Sequence, residues 1–204
     1  GYDGVSRGTS TLEYMYDDGT DNLGLDRRNV VPRTPNRGQA LLRHQQELPY
    51  GMQLHGEIGF LSDRNYLEQY YESVFDTQKD YETLLYLKQD YENWAWTGLA
   101  RAEPNYFAAT TQWLPKLDAY ALSEPLLDSL LTYSSHSSVG YGIINVGDPT
   151  NTPTDPYTPL PYLASVEGTV AMTRQQIDAP FNIGPVNFVP FAMGEAAYWE
   201  EDLT

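Results

Sequence analysis

Cysteine is missing altogether from this 204-residue chain, so no disulfide staples it and no thiolate holds a metal. The compartment stays open, because many exported proteins also lack cysteine. Basic residues are scarce: 12 Lys and Arg stand against 28 Asp and Glu, a net charge of −16. Such a surface excludes nucleic acid as a partner and excludes simple attraction to anionic headgroups. No run of about 18 apolar residues occurs, which excludes a membrane-spanning helix. Gly1 to Ser10 is polar and glycine-rich and does not read as a signal peptide. Neither a GxSxG nucleophile elbow nor a phosphate-cradling P-loop is found, so no enzyme chemistry is indicated and no cofactor is expected. Against these absences stands an excess of aromatic residues, 17 tyrosines and 4 tryptophans in a hydrophilic chain.

The stretch from Gln39 to Leu61 gives the reason for them. From Met52 to Phe60 the residues alternate, with Met52, Leu54, Gly56, Ile58 and Phe60 on one side and Gln53, His55, Glu57 and Gly59 on the other. That is the period of a strand with one apolar and one polar face. A two-residue turn before it sets Leu42 opposite Glu57. A three-residue loop, Pro49-Tyr50-Gly51, pairs Leu48 with Met52, Leu42 with Ile58 and Ala40 with Phe60, with Gly51 as the left-handed residue. The same register brings Arg43 opposite Glu57 and Gln45 opposite His55.

Read in this way the chain holds eleven strands: 5–16, 38–48, 52–61, 80–91, 94–102, 106–114, 117–123, 127–135, 138–144, 163–177 and 185–199. Ser62 to Asp76 changes period, with Tyr66, Leu67, Tyr70, Tyr71 and Val74 at helical spacing and Ser62 as N-cap, so a short loop helix is expected there. Short turns at 49–51, 92–93, 115–116, about 136 and 178–184 fall at one end of the strands. Long loops at 17–37, 62–79 and 145–162 fall at the other. That segregation is the layout of an outer-membrane barrel. Tyr50, Tyr91, Trp94 and Trp113 mark the short-turn rim, and Tyr16, Phe60, Tyr81 and Tyr106 the long-loop rim, as interfacial girdles.

The fold class expected is therefore all-β, with antiparallel up-and-down strands forming part of a large transmembrane β-barrel. Leu42, Leu54, Ile58, Leu85 and Leu87 are the lipid-facing candidates. Arg43, His55, Glu57, Lys88, Asp90 and Arg101 are the lumen-facing ones, with Glu82 beside them; cross-strand ion pairs that keep a wet interior satisfied account for these charges without any site. Eleven is odd whereas single-chain bacterial barrels are usually even, so residues 1–204 are expected to be one internal piece of a larger barrel. The competing reading is a soluble β-sandwich that binds or hydrolyses carbohydrate through its aromatics and carboxylates.

Other chemistry reads weakly. His44 and His55 point to opposite faces and share no ion, and with His136 they make no metal site. Asp17, Asp18, Asp21 and Asp26 resemble a loose calcium loop but lack its spacing and closing glutamate, so a solvated acidic loop is expected. Glu200, Glu201 and Asp202 are adjacent at a strand end, with nothing to converge them on a substrate.

Several blocks carry a resemblance that alternation alone would not: SDRNYLEQYY, TQWLPKLD and PFNIGPVNFVPFAMGEAAYW, within a region from residue 36 to 204. This region resembles the barrel of the lipopolysaccharide-assembly protein LptD, also called the organic-solvent-tolerance protein OstA. The resemblance implies a large antiparallel barrel in the cell outer membrane of Gram-negative envelopes, preceded by a periplasmic jellyroll. It implies as partners outer-membrane lipid, lipopolysaccharide, a plug lipoprotein of the LptE type and periplasmic transport components, and as function the insertion of lipopolysaccharide into the outer leaflet. Two departures are expected to matter: no jellyroll stands ahead of Gly1, and the lack of cysteine rules out disulfide-gated maturation through this segment. No residue of this stretch matches a lateral gate.

Overall fold

A computed structural model describes residues 4–148, 151–157 and 164–200. In chain order the elements are β1 (Ser6–Tyr16), β2 (Asp21–Asn22), β3 (Arg28–Val30), β4 (Asn36–Glu47), β5 (Met52–Leu61), α1 (Tyr66–Tyr70), α2 (Glu72–Thr77), β6 (Thr83–Tyr91), β7 (Trp94–Ala102), β8 (Thr111–Leu126), β9 (Leu131–Ile144), β10 (Val166–Asp178), β11 (Phe181–Ile183), β12 (Val186–Phe188) and β13 (Phe191–Trp199). Nine of them form one antiparallel sheet in the order β1-β4-β5-β6-β7-β8-β9-β10-β13, while β2-β3 and β11-β12 are small two-stranded ladders. Strands adjacent in the sheet are joined in sequence order, which is an up-and-down topology. β1 and β13 are its two edges and do not pair, so the described sheet does not close on itself. Among the described residues no second sheet of comparable size packs on it, so the competing sandwich reading finds no second layer.

The hairpin register follows the alternation. Leu42 stands opposite Ile58, Arg43 opposite Glu57 and Gln45 opposite His55, and the Leu48 N–H donates to the Met52 carbonyl at 2.8 Å. Tyr50 (φ 62°) and Gly51 (φ 72°) are both left-handed, so the turn takes two such residues where one was expected.

Four expected strands merge into two. The segments 106–114 and 117–123 are replaced by the single strand β8, and 127–135 and 138–144 by β9. No turn exists at 115–116 or at 136. Pro115 reads as a strand end because it donates no hydrogen bond, but the β7 and β9 ladders both skip it at a bulge between Trp113 and Lys116, where no donor is needed. The real turn, at 127–130, holds Leu127, Asp128 and Ser129 in the left-handed region, with no glycine to announce it. The loop helix is two short helices, and Ser62 caps neither; its hydroxyl accepts from the Gly38 N–H and donates to Asp63.

With the false turns removed, the connections at one end are 48–51, 92–93, 127–130 and 179–190, and those at the other are 17–35, 62–82, 103–110 and 145–165; the first three are short, while 179–190 carries the β11–β12 hairpin and is longer than 103–110. Those at the first end step progressively along the strands. Tyr91 and Trp94 share a row with Ala121, Ser135, Gln175 and Gly194, whereas β8 and β9 run on to Leu126–Leu131, and the last hairpin runs further still, to Ile183–Val186. A progressive stagger of this kind is what tilted strands produce.

One face of the sheet is bare. It carries Leu12, Tyr14, Tyr16, Leu42, Ile58, Phe60, Leu85, Tyr91, Trp94, Trp96, Leu117 and Val139, all exposed, Leu12 by 83%. The other face is covered at its long-loop end by a cap built from the connections, which buries Asp21, Val30, Arg37, Leu61, Tyr66, Leu67, Tyr81 and Asp155; outside it Asp118 and, on the bare face, Ala121 are also buried. So extensive an exposed apolar face, flanked by two open edges, drives association in water. The chain is expected to elute from detergent-free size-exclusion chromatography as aggregates or oligomers; a folded monomer would contradict the two-faced description.

Candidate functional site

The sheet's two faces and its cap are the functional features, and the register fixes which side chains belong to each. Leu42, Leu54, Ile58, Leu85 and Leu87 share the bare face: Leu42 is opposite Ile58, Leu54 opposite Leu87, and Leu85 opposite Gly56. Tyr16 and Phe60 lie on the same face at the long-loop end, and Tyr91 and Trp94 at the short-turn end, with Tyr50 at the exposed tip of its turn.

Three expected girdle aromatics are elsewhere. Trp113 belongs to the long-loop end and to the capped face, because β8 starts there. Its ring lies over Gly140 and Gly142, where an added Cβ would meet it at 3.0 and 3.2 Å. Tyr81 is buried inside the cap with Leu61, Tyr66 and Leu67, and its hydroxyl donates to Gln39 Oε1. Alternation placed both wrongly, because a bulge precedes Lys116 and because Tyr81 precedes the first paired residue of β6. Tyr106 also belongs to the cap, beneath the Arg33 guanidinium at 4.3 Å.

The capped face gathers the charges. Arg43 Nε donates to Glu57 Oε2 at 3.1 Å, and the same carboxylate accepts from Lys79 Nζ at 3.4 Å and from the Glu82 N–H at 3.2 Å. Arg101 pairs with Glu82 at 2.8 Å and Lys88 with Asp90 at 2.7 Å. His55 meets Tyr86 edge-on. Further along, Asp118 pairs with Lys116 at 3.2 Å and with His136 Nε2 at 2.9 Å, and His136 stacks on Tyr120 at 4.4 Å. Every charge of the expected lumen set thus has an opposite partner, and no three His, Asp or Glu side chains among the described residues gather as a metal site.

The division between the faces weakens after β9. On the bare side β10 sets Thr169, Thr173 and Gln175, with Ser137 bonded to Thr173 and Tyr133 to Gln175. On the capped side it sets Val170 and Met172.

Alternation gave no sign of the cap. Arg37, at the start of β4, is 1% exposed and joins two loops. It donates to Asp63 through Nε (3.0 Å) and Nη2 (2.8 Å), and to Asp21 through both terminal nitrogens. Its guanidinium lies 5.0 Å from the Tyr70 ring centre. A second knot holds residues 151–157: the buried Asp155 carboxylate accepts from Arg27 Nε at 2.8 Å and from Asn65 Nδ2 at 2.9 Å, while Arg27 Nη1 reaches Glu68 at 2.7 and 2.8 Å. Asp21 is therefore a buried structural anion, not a member of a solvated loop; Asp17, half-buried, accepts from the Tyr70 hydroxyl and the Gly19 N–H, while Asp18 and Asp26 are exposed. Glu200 accepts from the Thr169 N–H, while Glu201 and Asp202 lie outside the described residues.

Burial, with the hydrogen bond to Asp17 adding to it, pushes the Tyr70 hydroxyl from 10.0 up to about 12. A folded-state pKa raised above the unfolded one gives stability that is intact below the unfolded value and lost as pH rises through the folded value. The cap is therefore expected to hold at neutral pH and to loosen between about pH 10 and about pH 12. Tyrosinate absorbance, followed alongside protease cleavage in residues 62–82, checks this; cleavage setting in well below pH 10 would exclude Tyr70 as the cause.

Fold and site together define a two-faced antiparallel sheet, apolar and uncovered on one side, charged and loop-capped on the other. Comparison with family models, with curated proteins and with solved structures gives no match.

Proposed function

We propose that the nine-stranded sheet is the wall of an outer-membrane β-barrel, part of a lipopolysaccharide-assembly protein of the LptD type that delivers lipopolysaccharide to the outer leaflet. The observation that carries the membrane part is the bare apolar face, bounded by aromatic residues at both ends and backed by a charged face with every predicted lumen charge paired. The short turns at 48–51, 92–93 and 127–130 on one rim and the stagger of successive turns support it, since tilted strands with short turns on one rim are features of such barrels. In this reading the capped face lines a wet lumen whose outer mouth the loops roof over. The lipopolysaccharide cargo, the plug lipoprotein and the periplasmic partners rest on the sequence blocks in β8 and β11–β13 and in the SDRNYLEQYY segment. The protein acts as a conduit, not an enzyme.

Two measurements test the two levels. Single cysteines at 54, 56 and 58, labelled with a fluorophore in the bilayer-reconstituted protein, should be quenched by lipid-borne quenchers, and cysteines at 53 and 55 should not. Equal quenching on both faces, or none, removes the membrane reading. Depleting the protein in its source cells should strand lipopolysaccharide short of the surface; unchanged surface display would leave a barrel of another cargo.

A further inference from the structure

The connection between β10 and β13 carries no charge: from Ala179 to Gly194 the sequence reads APFNIGPVNFVPFAMG. β11 and β12 fold it into a hairpin in the same register as the ladder it extends. Asp178 stands opposite Phe191, the Ala179 N–H donates to the Pro190 carbonyl at 2.9 Å, Phe181 stands opposite Phe188, and Ile183 opposite Val186. Side chains alternate with a period of two, so an unbroken register assigns Phe181, Ile183, Val186 and Phe188 to the face that holds Ile177 and Ala192, the bare one. Asn182 and Asn187, opposite each other, take the other side, with Val189 beside Pro190 on that side as well. The four apolar side chains are exposed by 48, 61, 50 and 42% in chain order, and the two phenylalanine rings stack at 5.5 Å. Pro180 and Pro190 remove two donors where the ladders meet, which separates the hairpin from the main sheet as a small unit.

We propose that this hairpin is a membrane-interface anchor, its apolar face seated at the boundary between headgroups and acyl chains on the short-turn side of the bilayer. The inference rests on the spanning reading of the bare face and goes beyond it, by assigning a lipid site at a defined depth to an element outside the nine-stranded sheet. Two observations select lipid as the occupant. The four side chains continue the bare face without a change of register. The segment also offers no ion for a charged protein partner to pair with and no cation for an anionic headgroup, so a zwitterionic lipid surface is the chemistry it matches. Amphipathic helices at that boundary bury their apolar face about 5 to 10 Å deep, which sets the scale for a shallow apolar hairpin.

The chain contains no cysteine, so single replacements report cleanly. Ile183→Cys, Asn182→Cys and Ile58→Cys, each labelled with an environment-sensitive fluorophore, are made in the protein reconstituted into phosphatidylcholine vesicles. The lipids carry a nitroxide either near the headgroup or deep in the chain. The label at 183 should shift to the blue and be quenched more by the shallow nitroxide than by the deep one. The label at 182 should show neither effect, and the label at 58 should prefer the deep nitroxide. Quenching at 58 with none at 183, or equal quenching at 182 and 183, overturns the anchor and leaves the spanning sheet intact. Shallow quenching at 183 with none at 58 removes the spanning reading and leaves a peripheral hairpin. A label at 183 shielded from aqueous iodide yet untouched by either nitroxide means the hairpin packs on protein, and the anchor falls.

Discussion

Arg37→Ala is expected to cost about 3 to 5 kcal/mol, the loss that follows when one partner of a buried ion pair is removed and the other is left unpaired. Asp21 and Asp63 are 1% and 4% exposed, and Arg37 is the cation that bridges them. Arg37→Lys should recover little, since a point charge does not reproduce the planar fork that serves both carboxylates. Burial pushes the Asp21 carboxyl above its ordinary value while Arg37 pulls against that shift, so deleting the cation lets it rise further. A raised folded-state pKa gives stability present below the unfolded value and lost as pH rises through the folded one. The deficit of Arg37→Ala should therefore shrink as pH falls through the raised folded-state value toward the ordinary aspartate range, and be smallest below that range. Thermal unfolding of wild type and variant across pH checks both statements. A variant within about 1 kcal/mol of wild type at neutral pH, the scale of an exposed pair, would mean that the cap is not held from this point.

Ile58→Lys is the second large effect, about 2 to 4 kcal/mol if the side chain meets the bilayer midplane. Its counterpart on the capped face is His55→Lys, which faces Gln45 and Tyr86 and should change stability by no more than about 1 kcal/mol. Glu57→Lys is not a neutral comparison, although alternation alone would suggest it: the Glu57 carboxylate holds Arg43, Lys79 and the Glu82 N–H together, and a lysine there puts three cations side by side. Unfolding in lipid bilayers separates the cases. Equal costs at 55 and 58 would show that the two faces share one environment.

Much of the sheet is legible in the chain because its cause is local. A strand's side chains alternate whatever it packs against, so Met52 to Phe60 declares two faces, and turn chemistry at Pro49-Tyr50-Gly51 then admits a single register for Leu42, Arg43 and Gln45. The helical spacing of Tyr66 to Val74 is visible for the same reason, and so are the long loops. The reading fails where a local signal has two meanings. Proline at 115 marks either a strand end or a bulge, and only the pairing of β7 and β9 around it decides. The left-handed turn at Leu127, Asp128 and Ser129 sets Leu127 and Ser129, which rarely adopt that conformation, beside Asp128, and has no glycine to mark it.

The sequence by itself determined the strand class of this protein, the faces of most strands and the short-turn and long-loop ends, since period and turn chemistry act within a few residues. Only the tertiary structure decided the cap. Arg37 meets Asp21 and Asp63 across 16 and 26 residues, and Arg27 meets Asp155 across 128. In sequence each of these is an ordinary polar residue in an aperiodic loop. Burial makes them partners, because a charge removed from water is tolerated only beside its opposite, and which opposites come together is fixed by how the strands order the loops above them.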